Sequence, residues 1–257
     1  MTRTAVMVDG GFYRKRARRL WGDKSPQARA DELNRYIFKH LGKTDGRNPR
    51  DLYRVFYYDC PPISKVVYHP LLKRNVDFGR SDMMRWANEF FDELKRKRKF
   101  ALRLGRLSSS GIFFQLSPEK VKDLCAGRIT VGDLTEEDFR ITFHQKGVDM
   151  KLGLDIADLA NDRLVDQIVL IAGDSDFVPA AKVARRKGID FILDSMGGKV
   201  SDDLMEHIDG LEFFVSHDPC MPSHEGAGSI ESIGSIESIE SIESIESIES
   251  IEDAVEA

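Results

Sequence analysis

Ile168-Val169-Leu170-Ile171-Ala172 is an unbroken apolar run, closed by Gly173-Asp174-Ser175-Asp176-Phe177. A short apolar segment that ends in a turn reads as a strand covered on both faces, the habit of central strands in parallel sheets. Four further segments share that character: residues 5–8 (AVMV), 52–59 (LYRVFYYD), 100–107 (FALRLGRL) and 189–193 (IDFIL). Helical patterns over 29–41, 80–98, 147–162, 175–187 and 200–209 fall between them. Strands alternating with helix-length segments predict an α/β fold, a mostly parallel sheet of five or slightly more strands with helices on both faces. Residues 108–146 hold a Ser-Ser-Ser-Gly turn, a short helix near 118–125 and a strand at 139–144, and read as an insertion in a domain spanning 1–216.

Composition narrows the class. The 257 residues are 41% hydrophobic and 32% charged, and no apolar run approaches the roughly 18 residues of a membrane span. Met1-Thr2-Arg3-Thr4 leads directly into the first strand without the apolar stretch of a secretory signal. Cys60, Cys125 and Cys220 lie far apart and make no pairing or zinc pattern, so a reducing cytoplasmic setting is expected. The net charge of −5 hides an asymmetry: residues 217–257 contain 11 acids and no Lys or Arg, leaving 38 bases against 32 acids elsewhere. A mildly basic body is compatible with a polyanionic partner.

The acids at the strand ends carry the chemistry. Ligands of parallel sheets bind at the carboxyl ends of the strands, where strand order reverses. Asp9 follows the first strand and precedes Gly10-Gly11; Asp174 and Asp176 follow the strongest one. With the first and fourth main strands side by side, these carboxylates converge. Such a cluster calls for a divalent cation or a proton, and oxygen-only ligands favour Mg2+ or Mn2+. Asp149, in Lys146-Gly147-Val148-Asp149, starts the 147–162 helix and points toward the same rim. That helix is apolar around most of its circumference and is expected to be buried. Asp155, about 120° around it from Asp149, and Ser175 are expected one layer behind the ion. Taken singly, Asp174 and Asp176 also suit helix caps, and Asp9 a turn. Asp59 and Asp194 end strands as well.

Val-Asp-Gly-Gly-Phe near the N-terminus, Lys-Gly-Val-Asp-Met-Lys-Leu-Gly-Leu-Asp in the middle and Ile-Ala-Gly-Asp-Ser-Asp-Phe-Val-Pro together resemble the NYN domain of the PIN-like nuclease superfamily, nearest its LabA-like branch. The resemblance covers roughly residues 3–215. It implies metal-dependent cleavage of RNA, an acidic site of Asp9, Asp149, Asp174 and Asp176, and strands one and four adjacent. Many NYN domains carry Asn three residues after the first Asp; here that position is Phe12.

The expected chemistry is attack by water on a phosphodiester, with one or two Mg2+ or Mn2+ ions held by the aspartates. Arg14, Lys15, Lys146 and Lys151 are expected to contact RNA phosphates, and Tyr57, Tyr58 and Phe12 offer rings for base stacking. A homo-oligomer is compatible with the sequence, which also leaves open a non-cleaving RNA-binding module and a phosphatase of small phosphate esters. Met196-Gly197-Gly198-Lys199-Val200-Ser201 fails as a nucleotide phosphate loop, because Leu193 stands where its first glycine belongs and Ser does not follow Lys. His217, Cys220 and His224 lack a fourth zinc ligand, and His207 and Asp209 read as structural.

Residues 229–252 are eight triplets, seven of them Ser-Ile-Glu. A period of three gives no steady apolar face on a helix or a strand, so residues 217–257 are expected to be disordered. The tail is either an expansion without a role or an anionic segment competing with nucleic acid for the basic body. Truncation before Ser229 separates these: competition requires higher nucleic-acid affinity at low salt, and unchanged affinity excludes it.

Overall fold

The computed structural model describes residues 1–42, 49–107, 111–142 and 145–215, with backbone only at 145 and 146. The acidic tail, with the disorder expected of it, and the side chain of Lys146 lie outside the described residues. Contacts divide the chain into two compact units. Among the described residues, the first comprises Met1–Pro61, Trp86–Arg106 and 145–215; the second comprises Pro62–Arg85 and those of Leu107–His144. Among the described residues no helix is long and apolar enough to cross a membrane.

The chain is α/β. In chain order its main elements are β1 (Thr2–Asp9), α1 (Gly10–Trp21), α2 (Pro26–Leu41), β2 (Arg50–Asp59), α3 (Asp82–Arg96), β3 (Phe100–Leu104), α4 (Pro118–Cys125), α5 (Val148–Asn161), β4 (Gln167–Ile171), α6 (Val178–Arg186), β5 (Asp190–Asp194), α7 (Asp202–Glu206) and β6 (Gly210–Leu211). The six strands form one parallel sheet in the order β3-β2-β1-β4-β5-β6. Strands one and four are therefore neighbours, and order reverses between them.

Burial explains the apolar runs. All five residues of β4 are buried. Val6 and Val8 of β1 share a core with Tyr13 of α1, Leu33 of α2 and Phe90 of α3. Ala5 and Met7 are equally buried and by strand alternation point to the other face, where α5 packs on β2 and β3 and α6 on β5. Local signals set the helix starts. Ser25 caps α2 by accepting from the Ala28 N–H, with Pro26 in the first turn where its missing N–H costs nothing.

In the second unit, Val66–His69 pairs antiparallel with Arg74–Asp77, and Phe113–Leu116 with Phe139–Thr142. Ile63, Val67, Phe78 and Ile141 form its small core. The segment expected as an insertion contributes residues 108–144, joined by 62–85, which no sequence signal marks.

Several expectations change. The 147–162 helix is not enclosed: Met150 and Leu154 are 71% and 58% exposed, and only the Val148-Leu152-Ile156-Leu159 side is buried. The 200–209 helix shrinks to α7 because Asp209 leaves it for β5. There its carboxylate accepts from the Phe191 N–H and from Arg185, both at 2.9 Å. Tyr57 and Tyr58 are fully buried and cannot stack on bases. Asp194 faces inward: one oxygen is 2.7 Å from His40 Nε2 and the other accepts from the Met196 N–H.

Leu170 lies fully buried in β4. Leu170→Ala should lower the unfolding free energy by about 2–5 kcal/mol, read from urea unfolding; a loss under about 1 kcal/mol would contradict β4 as the centre of the core.

Candidate functional site

Register brings the acids together. Val8 of β1 stands opposite Ile171 of β4, so Asp9 is level with Ala172, and Gly173-Asp174 lies just beyond on the same rim. Gly173 lets the ring of Phe12 rest on the backbone here, since a Cβ at that position would lie 2.5 Å from Phe12 Cε2. Gly10 serves the neighbouring strand: its Cβ would collide with the Tyr57 hydroxyl and Asp59 Oδ2.

Asp9 caps α1, its Oδ1 accepting from the Phe12 N–H at 3.1 Å. Asp174 caps the turn before α6, its Oδ1 accepting from the Asp176 N–H at 3.0 Å. Both are thus caps in fact, and capping uses one oxygen of each in these bonds. The electrostatics go further than capping. Burial pushes the Asp9 carboxyl up from 3.8 to about 6, against the Phe12 N–H and with the help of Asp59 and Asp149. Burial, then Asp174 and Asp176, also raise Asp149. The four aspartates therefore share one field of like charge. Among the described residues none of them has an ion pair with Lys or Arg.

Oxygen donors that repel one another suit a hard dication, which relieves the repulsion as a proton would. The side chains are not drawn to one point, however. Among the described residues, the group of three such ligand atoms lying within 4.8 Å of one another is Asp203, Glu206 and His207 on the exposed side of α7. A cation between Asp9, Asp149, Asp174 and Asp176 therefore requires their carboxylates to swing inward. Asp149, Asp174 and Asp176 are exposed and can do so, and Ser175, expected behind the ion, is exposed between the last two.

Other candidates are committed elsewhere. Asp155 accepts from the Tyr58 hydroxyl at 2.7 Å and from Arg103 Nε at 2.9 Å. Tyr58 is the β2 neighbour of Asp9 in register, so Asp155 braces the strand. Arg14, expected at RNA, is spent on Asp59: Nη2 donates to Oδ1 at 3.0 Å, and Asp59 is 2% exposed. Burial opposes the Arg14 charge, but Asp59 more than restores it and holds its pKa above the ordinary value. Tyr57 and the Cys60 N–H also donate to Asp59. That network joins residues 45 positions apart, and only the acid at the end of β2 hints at it. Lys151 Nζ donates to the Leu104 carbonyl at 2.6 Å, which directs it to the end of β3. Lys15 is exposed on α1.

Residues 119–215 match the family model of the NYN domain. The matched stretch contains Asp149, Asp174 and Asp176 but not Asp9. No curated protein matches the chain. Among solved structures, the chain is similar to a protein of unknown function from Vibrio parahaemolyticus RIMD 2210633, at 13% identity and a TM-score of 0.43 over 85% of this chain and 94% of that one.

Asp9 gives a pH prediction. Its folded pKa lies above the unfolded value of 3.8, so the folded chain holds the extra proton and stability falls as pH rises from about 4 to about 6. Asn keeps the cap without the charge. Asp9→Asn should therefore raise the unfolding free energy at neutral pH by roughly 1–3 kcal/mol and flatten the profile through that window. Equal or lower stability in urea at pH 7 contradicts a charge on Asp9 that burial and its acidic neighbours disfavour.

Proposed function

We propose that the chain is a metal-dependent ribonuclease of the NYN type, nearest the LabA-like branch, with Asp9, Asp149, Asp174 and Asp176 holding Mg2+ or Mn2+. The observation that carries this reading is the shared, unneutralised field of the four aspartates at the β1–β4 switch point. NYN domains belong to the PIN-like nucleases, and the similarity over residues 119–215 supports RNA as substrate.

Bound Mg2+ or Mn2+ would neutralise phosphate charge and ease ionisation of the attacking water. The chain's own residues do the rest. Asp9 and Asp174, each with one oxygen in a capping bond, would turn the other inward from the ends of adjacent strands. Asp149, at the mouth of α5 and raised in pKa by partial burial and then by Asp174 and Asp176, orients the attacking water and takes its proton. Asp176 completes the anionic wall. Lys15 on α1 offers charge to the RNA backbone, and Lys146 is a further candidate for that contact. Hydrolysis breaks a P–O bond to the ribose and adds water across it. Cys60 and Cys125 are unpaired thiols, in keeping with a cytoplasmic setting.

One observation favours a second reading, an RNA-binding module without cleavage. Phe12 stands where an amide is usual, and its ring rests on Gly173 beside Asp174. An apolar ring there can neither orient water nor bind phosphate.

Digestion of labelled single-stranded RNA, single-stranded DNA and a simple phosphate ester with Mn2+ or Mg2+ decides between them. The expected outcome is metal-dependent cleavage of RNA, lowered roughly 10²-fold or more by Asp9→Asn and by Asp174→Asn with folding intact. RNA bound but left uncut by the wild type selects the module. Wild-type cleavage by both variants places the chemistry elsewhere.

A further inference from the structure

The turn leaving β5, Ser195-Met196-Gly197-Gly198-Lys199, lacks the spacing of a nucleotide phosphate loop, yet a cation lies along it. Arg16 of α1 donates from Nη2 to the Met196 carbonyl at 2.7 Å. A Cβ on Gly198 would sit 3.8 Å from both Cζ and Nε of Arg16, and one on Gly197 would sit 3.9 Å from Nη2. These are van der Waals distances, so the guanidinium lies directly against the turn, while the close contacts that call for glycine are to Val215 at Gly197 and to the Ser195 carbonyl at Gly198.

Two donors are left unused. Arg16 Nε and Ser195 Oγ are both buried and make no hydrogen bond among the described residues, and Ser195 is 1% exposed. Buried polar groups are nearly always bonded, so a pair of orphans beside one turn points to a missing acceptor. The charge balance points the same way. Burial lowers the Arg16 pKa, Arg19 lowers it further, and only Tyr36 acts in the opposite sense. Among the described residues no carboxylate pairs with Arg16, Arg19 or Lys199. Asp194, just before the turn, has its oxygens taken by His40, Tyr36 and the Met196 N–H. This cation differs from Arg14, two residues earlier, which Asp59 neutralises.

The location suits a polyanion that also reaches the aspartates. The turn lies at the carboxyl end of β5, next in the sheet to β4, whose end carries Asp174, and Arg16 is on the helix that Asp9 caps. Both sites therefore open on the rim where parallel sheets bind ligands.

We infer that Arg16, Ser195 Oγ, Lys199 and the backbone N–H of Gly197 form a phosphate-binding subsite, separate from the aspartates, that grips a non-reacting phosphate of the substrate; the Gly198 N–H closes the turn on the Ser195 carbonyl at 2.7 Å. Its biological ligand rests on the ribonuclease reading; its affinity for phosphate does not. The phosphate is either an internal phosphodiester or a terminal monophosphate.

Full-length protein, held in chelator so that nothing is cut, is titrated with short labelled single-stranded RNA with or without a 5′-monophosphate, and with inorganic phosphate as competitor. Arg16→Gln and Lys199→Ala should each weaken RNA binding about tenfold. Each should also lower the slope of log affinity against log salt by about one. Lys199 is exposed, so its variant remains informative if Arg16→Gln, having lost its bond to Met196, fails to fold. Inorganic phosphate should compete in the wild type and not in Arg16→Gln. A loss confined to 5′-phosphorylated RNA assigns the subsite to a terminal monophosphate, and an equal loss on both RNAs assigns it to an internal phosphodiester. Wild-type affinity and salt slope in folded variants overturn the subsite. Cleavage is scored separately in Mn2+: a wild type that binds through Arg16 and cuts nothing removes the ribonuclease reading and leaves the subsite standing.

Discussion

Asp9 and Asp174 are separated by most of the chain and meet because β1 hydrogen-bonds β4 in parallel, Val8 opposite Ile171. A parallel pair places both carboxyl ends on one edge, so every acid that follows either strand must share that rim. The pairing is non-local and brings an entropic cost of closure. Burial of both sheet faces offsets that cost, under α1, α2 and α3 on one side and α5 and α6 on the other. The core thus holds together charges that would otherwise separate. Burial first, and the neighbouring acids second, raise the pKa values of Asp9 and Asp149 on that rim.

Once the acids are confined, the partners of the nearby cations decide what the rim can bind. Arg14 and Arg16 are two residues apart on one helix and have opposite fates. Arg14 turns toward β2 and is neutralised by a buried carboxylate, which makes it part of the core. Arg16 turns toward the end of β5 and meets carbonyl and glycine backbone instead of an acid. A guanidinium held by one carbonyl keeps its full charge for a ligand, whereas one in a buried ion pair has none to spare. The same distinction separates Asp155, bound by Tyr58 and Arg103, from Asp149, whose neighbours are acids.

Phe12 sets the limit of the likeness to NYN domains. Its N–H serves the cap on Asp9 while its ring lies against Gly173, so backbone and side chain together lock the mouth between β1 and β4. The raised pKa of Asp9 comes mainly from burial, against the pull of the Phe12 N–H.

The sequence by itself determined the alternation of strands and helices, the buried centre at residues 168–172 and the placing of Asp9, Asp174 and Asp176 at strand ends. These depend on side-chain periodicity and turn residues, which act over a few positions and can be read along the chain. Only the tertiary structure decided that Arg14 belongs to Asp59 and Asp155 to Tyr58 and Arg103. It alone showed that Tyr57 and Tyr58 lie inside, and that Met150 and Leu154 remain outside on a helix apolar nearly all round. Those outcomes depend on which strand lies beside which and which helix face meets the sheet. Ion pairs and burial act through space, over about 3 Å, and distance along the chain does not encode them.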